Sequence, residues 1–280
     1  MRLPLLALAP LLPAALGCAG TVSGAADGTA DAEPTTSTSA VVAVQRTSDA
    51  TEGSRAEASA RFVRVTGPSS PDDALRAIGA ALDLPARGTC AALTSLGDLP
   101  AGQAPLIELL DVGEVSILVD GVETRLSPRQ LPDVTDVVSG VVYARATDPA
   151  LLPVSSQYVL HVAGAHGLPP VDVTAVAPGD PADVQIAGED ASGAVVAEGP
   201  ALDLTWTGDG ADDAVYVDVR PSSVRCMLDA GGRGTVSTLF LDDKGTLVVH
   251  RLHRQALRAP GVDTGEIRFD FARTVAYVRP

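Results

Sequence analysis

The chain has 280 residues, 46% of them hydrophobic and only 3% aromatic, with 35 acidic against 20 basic side chains and a formal net charge of −15. That charge repels nucleic-acid phosphates and anionic lipid headgroups, which excludes a nucleic-acid binder and a protein held to a membrane by basic residues. The scarcity of aromatic rings argues against a sugar-binding module, which needs exposed ring faces to stack on.

In chain order the first element is MRLPLLALAPLLPAALGC, in which Arg2 precedes an apolar run from Leu3 to Leu16. The run has the length of a secretory h-region, is too short to span a bilayer, and is broken by Pro4, Pro10 and Pro13. Residues 1–17 are therefore expected to be an export signal. Ala15-Leu16-Gly17-Cys18 resembles the lipobox of bacterial lipoproteins. The resemblance implies cleavage before Cys18, a diacylglyceryl group on its sulfur, and membrane attachment through acyl chains in a bacterial cell envelope. The following stretch, to about Thr51, is rich in Ala, Gly, Ser and Thr and has little to bury. Residues 18–55 are expected to be the acylated cysteine and a flexible tether.

Beyond the tether the hydrophobic pattern has mostly period two. ARFVRVTG alternates, and EVSILVDG sets Val115, Ile117 and Val119 on one face before Asp120-Gly121, a hairpin-turn pair. One helix is expected near residues 71–83. Ser70 is its N-cap, Pro71 its first residue, Asp72 and Asp73 lie in its first turn, and Leu75, Ile78, Gly79 and Leu82 share a face. A shorter helical turn is weakly signalled from Arg129 to Val138. SGVVYAR and QYVLHVAG continue the strand pattern. The Pro- and Gly-rich stretch from His166 to Asp183 is the expected domain boundary.

The remaining strands are ALDLTW, VYVDVR, SVRCML, LVVHRL and EIRFDFA. Their alternation predicts buried Val215, Val217 and Val219 against solvated Asp218 and Arg220. It likewise predicts buried Ile267, Phe269 and Phe271 against solvated Arg268 and Asp270. Trp206, on a face with Leu202 and Leu204, is expected in the core. This half is similar to an immunoglobulin- or fibronectin-like sandwich, without the paired cysteines of antibody domains. The fold expected is mainly β, with two antiparallel β-sandwich domains over residues 56–175 and 176–280.

Nothing in the sequence forms a nucleophile elbow or a phosphate-binding loop, and GGRGT reads as a turn. His250 and His253 are three apart, which in a strand places them on opposite faces, so neither these nor His161 and His166 predict a metal site. Asp209, Asp212 and Asp213 in TGDGADD form a weak calcium-loop candidate, with a hairpin between the DLTW and VYVDV strands as the plainer reading. LDDKGT reads as a second hairpin turn. Cys90 and Cys226 are expected as two separate buried thiols. A disulfide is the alternative, permitted by an oxidising compartment but demanding close Cα atoms. No catalytic residue and no cofactor are expected. The combination of lipobox, tether and β-domains resembles bacterial envelope lipoproteins. That resemblance implies a non-catalytic structural or interaction module with an envelope protein as partner. The competing expectation is a ligand-binding receptor or enzyme with its site at the interdomain cleft.

Overall fold

The computed structural model describes residues 35–49, 52–67, 70–93, 106–131, 138–190, 193–207 and 213–280. Cys18, Asp209 and Asp212 lie outside them. The first half of the chain supplies β1 (Thr36–Asp49), β2 (Gly53–Thr66), α1 (Pro71–Ala77), β3 (Thr89–Ala92), β4 (Leu106–Leu109), β5 (Val115–Val119), β6 (Val122–Arg125), β7 (Ser127–Leu131), β8 (Val138–Thr147), β9 (Gln157–Val162) and β10 (Val171–Val176). The second half supplies β11 (Gln185–Ile186), β12 (Glu189–Asp190), β13 (Val195–Val196), β14 (Ala201–Thr205), β15 (Asp213–Arg220), β16 (Val224–Met227), β17 (Arg233–Ser237), β18 (Lys244–Ala256) and β19 (Thr264–Val278). The mainly β expectation holds.

Eleven strands form one mixed sheet, ordered β3-β16-β15-β18-β19-β1-β2-β4-β8-β7, with β13 pairing the end of β19. Two four-stranded sheets, β10-β9-β5-β6 and β12-β11-β14-β17, pack side by side on its front face. Against the first pack Val42, Phe62, Tyr143, Phe269 and Phe271; against the second pack Val217, Cys226, Leu247, Val249, Val275 and Tyr277. Trp206 is buried in the second core, as its strand partners imply.

Two separate sandwich domains do not describe this arrangement. β19 contributes Phe269 to one core and Tyr277 to the other, β1 pairs parallel with β19, and β3 from the first half pairs with β16 from the second. Residues Pro34–Pro280 accordingly form one compact unit. The parallel pairs β1–β19, β4–β8 and β13–β19 also depart from a purely antiparallel pattern.

Several local expectations are corrected. The segment read as tether contains β1, a 14-residue strand in the middle of the large sheet. Arg129 begins no helix: Ser127–Leu131 is an edge strand, and residues 132–137 lie outside the described residues. The strands that TGDGADD and LDDKGT separate, β14 from β15 and β17 from β18, lie in different sheets and are not hairpin partners; residues 208–212 of the first stretch lie outside the described residues. Asp120-Gly121 does turn β5 into β6, both residues having positive φ as a two-residue hairpin requires.

The helix forms as its cap predicts but is shorter, α1 ending at Ala77. The Ser70 hydroxyl accepts from the Asp73 N–H, and Pro71 sits at the first position. Ala74, Leu75 and Ile78 pack on Val63, Val65, Ile107 and Leu109, on the back face of the large sheet. From α1, residues 80–88 run as an extended strap across that back face to β3. Leu82 and Leu84 of the strap cover Tyr216, Met227 and Leu252.

At the strap's far end Cys90 and Cys226, which face each other in the β3–β16 register, form a disulfide. The expectation of two separate thiols is overturned. Cys226 is the buried core residue its strand pattern indicates, and β3 arrives beside it only because the strap carries the chain across the sheet.

Candidate functional site

The back face beneath the strap is built from residues that the alternation assigns to solvent. Asp218 on β15 and Arg268 and Asp270 on β19 are all buried. Arg225 donates twice to Asp218, Nε to Oδ1 at 2.7 Å and Nη2 to Oδ2 at 2.8 Å. Its Nη1 donates to the Asp83 carbonyl of the strap at 3.0 Å. Tyr216 donates its hydroxyl to Asp270 Oδ2 at 2.8 Å, and His250 Nδ1 lies 2.9 Å from Asp270 Oδ1. The His250 ring stacks on Tyr216 with centroids 4.2 Å apart, and the Arg225 guanidinium lies 4.8 Å from the same tyrosine ring. His250 Nε2 is buried without a hydrogen-bond partner among the described residues, 3.8 Å from Asp218 Oδ2.

Burial and charge act oppositely on this network. Burial alone would raise the Asp270 pKa, but the hydrogen bonds from His250 and Tyr216 and the nearby Arg225 charge outweigh it and hold the carboxyl below the usual range. Burial, reinforced by the Asp270 carboxylate, pushes the Tyr216 hydroxyl far up, so it remains a donor at any ordinary pH. Bidentate charged hydrogen bonds fix the planar Arg225 and hence the strap above it. The network holds the cover in place.

His253 lies on the opposite face from His250 and pairs with Asp213, 2.8 Å from Nδ1 to Oδ1. Asp213, the one described member of the calcium-loop candidate, is thus committed to a histidine at the start of β15. Arg251 secures the segment that the sequence marks as a boundary: it donates to the carbonyls of Thr207 and Asp180.

Beside the buried network, between α1, the start of the strap and strands β1, β18 and β19, runs an open groove of about 580 Å³. Ser39, Ala40 and Val41 form its floor, and the Ser39 and Thr264 hydroxyls lie 2.8 Å apart at its edge. The sheet side presents Arg254, Arg268 and Glu266. Both arginines pair with Glu266, and each also donates to the strap, Arg268 to the Ala80 carbonyl at 3.1 Å and Arg254 to the Leu82 carbonyl at 3.4 Å. The helix side presents Asp72, Arg76 and Asp83. Arg76 pairs with Asp83 at 2.9 Å and with Asp73 at 3.3 Å. The Arg76 hydrogen bond holds the Asp83 carboxyl below its ordinary range.

Comparison with known proteins names no family. No protein-family model matches the chain, and no curated protein matches it. Among solved structures the chain is similar to the mu homology domain of Fcho1 from Danio rerio with a bound Eps15 peptide, at 11% identity, over 90% of this chain and 99% of that one, with a TM-score of 0.23.

Neither the buried network nor the groove is among the features the sequence predicts. The signal for the first was present in VYVDVR and EIRFDFA, whose polar positions carry complementary charges. What was invisible is the strap that covers them. The groove needs α1 and β18–β19 side by side, residues about 180 apart in sequence, and no local pattern encodes that.

Proposed function

We propose that the chain is an exported, lipid-anchored envelope protein that acts as a non-catalytic interaction module. It is held to the membrane by acyl chains on Cys18 and presents two sandwich-like halves that share one sheet. The observation that carries the reading is the Cys90–Cys226 disulfide, because such bonds form and persist in oxidising compartments outside the cytosol. The lipobox resemblance at Ala15–Cys18 supports the anchor. The engagement of the buried Asp218 and Asp270 by arginine and histidine supports a non-catalytic reading of the strap-covered network, since these carboxylates act as structural acceptors.

Fractionation tests the anchor. Each buried acyl methylene contributes about 0.8 kcal/mol, so two or more chains hold the protein stably to a bilayer. The intact chain is expected in the detergent phase of a membrane preparation, and Cys18→Ala in the soluble fraction. Recovery of the unsubstituted chain in the soluble fraction would refute the reading.

A further inference from the structure

We propose that the groove between α1, the strap and β1, β18 and β19 binds a small zwitterion, with its anionic group against Arg254 and Arg268 and its ammonium group against Asp72 and Asp83. The two sides of the groove carry opposite surpluses. On the sheet side two guanidinium groups share the single carboxylate of Glu266. Arg61, which stands across Val41 from Glu266 in the strand register, lies outside the groove's lining and beside Arg268. Burial lowers the Arg61 pKa; Glu57 opposes this and the like charge of Arg268 reinforces it, the mark of crowded cations. Arg268 itself is nine-tenths buried, and its Nε has no hydrogen-bond partner among the described residues. On the helix side two carboxylates, Asp72 and Asp83, line the groove beside the guanidinium of Arg76, which pairs with Asp83 and with Asp73 outside the lining. Asp72 is exposed and has no ion pair among the described residues.

A simple anion would satisfy the sheet side but would approach against a net charge of −15. A zwitterion carries no net charge and escapes that repulsion while matching both sides. Val41, Leu75 and Leu82 line the space between and accommodate a methylene spacer. A volume of about 580 Å³ falls within the range of small-molecule clefts. The inference goes beyond the tethered-module reading and is independent of Cys18.

Calorimetric titration of the full chain with 6-aminohexanoate, hexanoate and hexylamine tests it. The expected result is saturable binding of 6-aminohexanoate, at least about fivefold tighter than either single-charge probe. Arg254→Gln should weaken 6-aminohexanoate about fivefold and leave hexylamine unchanged, and Asp72→Asn should weaken it while leaving hexanoate unchanged. Both side chains are substantially exposed, so the variants retain the fold, which circular dichroism verifies. Hexanoate binding as tightly as 6-aminohexanoate, no saturation by any of the three, or unchanged 6-aminohexanoate affinity in Arg254→Gln would each overturn the proposal. None of these outcomes touches the anchor, which the fractionation of Cys18→Ala tests separately.

Discussion

Replacing Cys90 and Cys226 together by alanine should destabilise the chain through its unfolded state. The disulfide joins residues 136 apart, one on an edge strand and one in the second core. Closing a loop of that length removes chain entropy from the unfolded ensemble worth about 5 kcal/mol at 25 °C. The folded state changes less, because the Gly88 N–H still donates to the Met227 carbonyl, Arg225 still holds the Asp83 carbonyl, and Leu82 and Leu84 still pack on Tyr216 and Met227. Alanine leaves no polar atom in the core, so the loss of loop closure dominates. With a urea dependence of about 2.5 kcal/mol per molar, the midpoint should fall by about 2 M relative to the oxidised chain. The assay is equilibrium urea unfolding of both proteins followed by far-ultraviolet circular dichroism. A midpoint shift under about 0.5 M with unchanged slope would refute the reasoning, since it would mean that the crosslink constrains little of the unfolded chain.

Two further outcomes follow from the packing. Asp270→Asn should cost about 3–5 kcal/mol at pH 7, because it removes one charge from a buried network that His250, Tyr216 and Arg225 complete. The Asp270 pKa is lowered by folding, so its contribution is full above the unfolded value of about 3.9 and is lost as pH falls through the folded value. Unfolding curves collected from pH 7 to pH 2 should therefore show wild type and variant converging below about pH 4. A constant gap would contradict the sign. Gly140→Ala should cost at least about 3 kcal/mol, since the new Cβ would lie 1.9 Å from the Leu109 carbonyl oxygen at a φ of +121°. For a chain of this size that is a fall in Tm of about 9 °C by calorimetry, and a fall under about 2 °C would show that the β4–β8 pairing yields easily.

Where one face of a strand is buried and the other is polar, local sequence sufficed. VYVDVR and EIRFDFA turn Val217 and Phe269 inward as their alternation requires, Ser70 caps α1, and Asp120-Gly121 turns a hairpin. These features depend on contacts within a few residues or on a periodicity that a single segment displays. β1 was hidden for the complementary reason. Ala40 to Val44 are buried on both faces, the front by the first core and the back near α1 and the strap, so the alternation vanishes into a short run of small apolar residues.

Tertiary structure alone decided the rest. The polar positions of β15 and β19 belong to a buried network because a strap from a distant part of the chain lies over them. Cys90 meets Cys226 because that strap ends on the edge of the same sheet. The groove exists because α1 and the β18–β19 pair are brought together by the parallel pairing of the first strand with the last. Each of these depends on contacts between residues that are far apart along the chain. Their energies are set by register and burial, which hydrophobic periodicity within one segment does not contain. The sequence by itself determined a β-rich chain with one capped helix and an acidic balance. The fold determined which of its charges are buried, which are joined, and which remain open to a ligand.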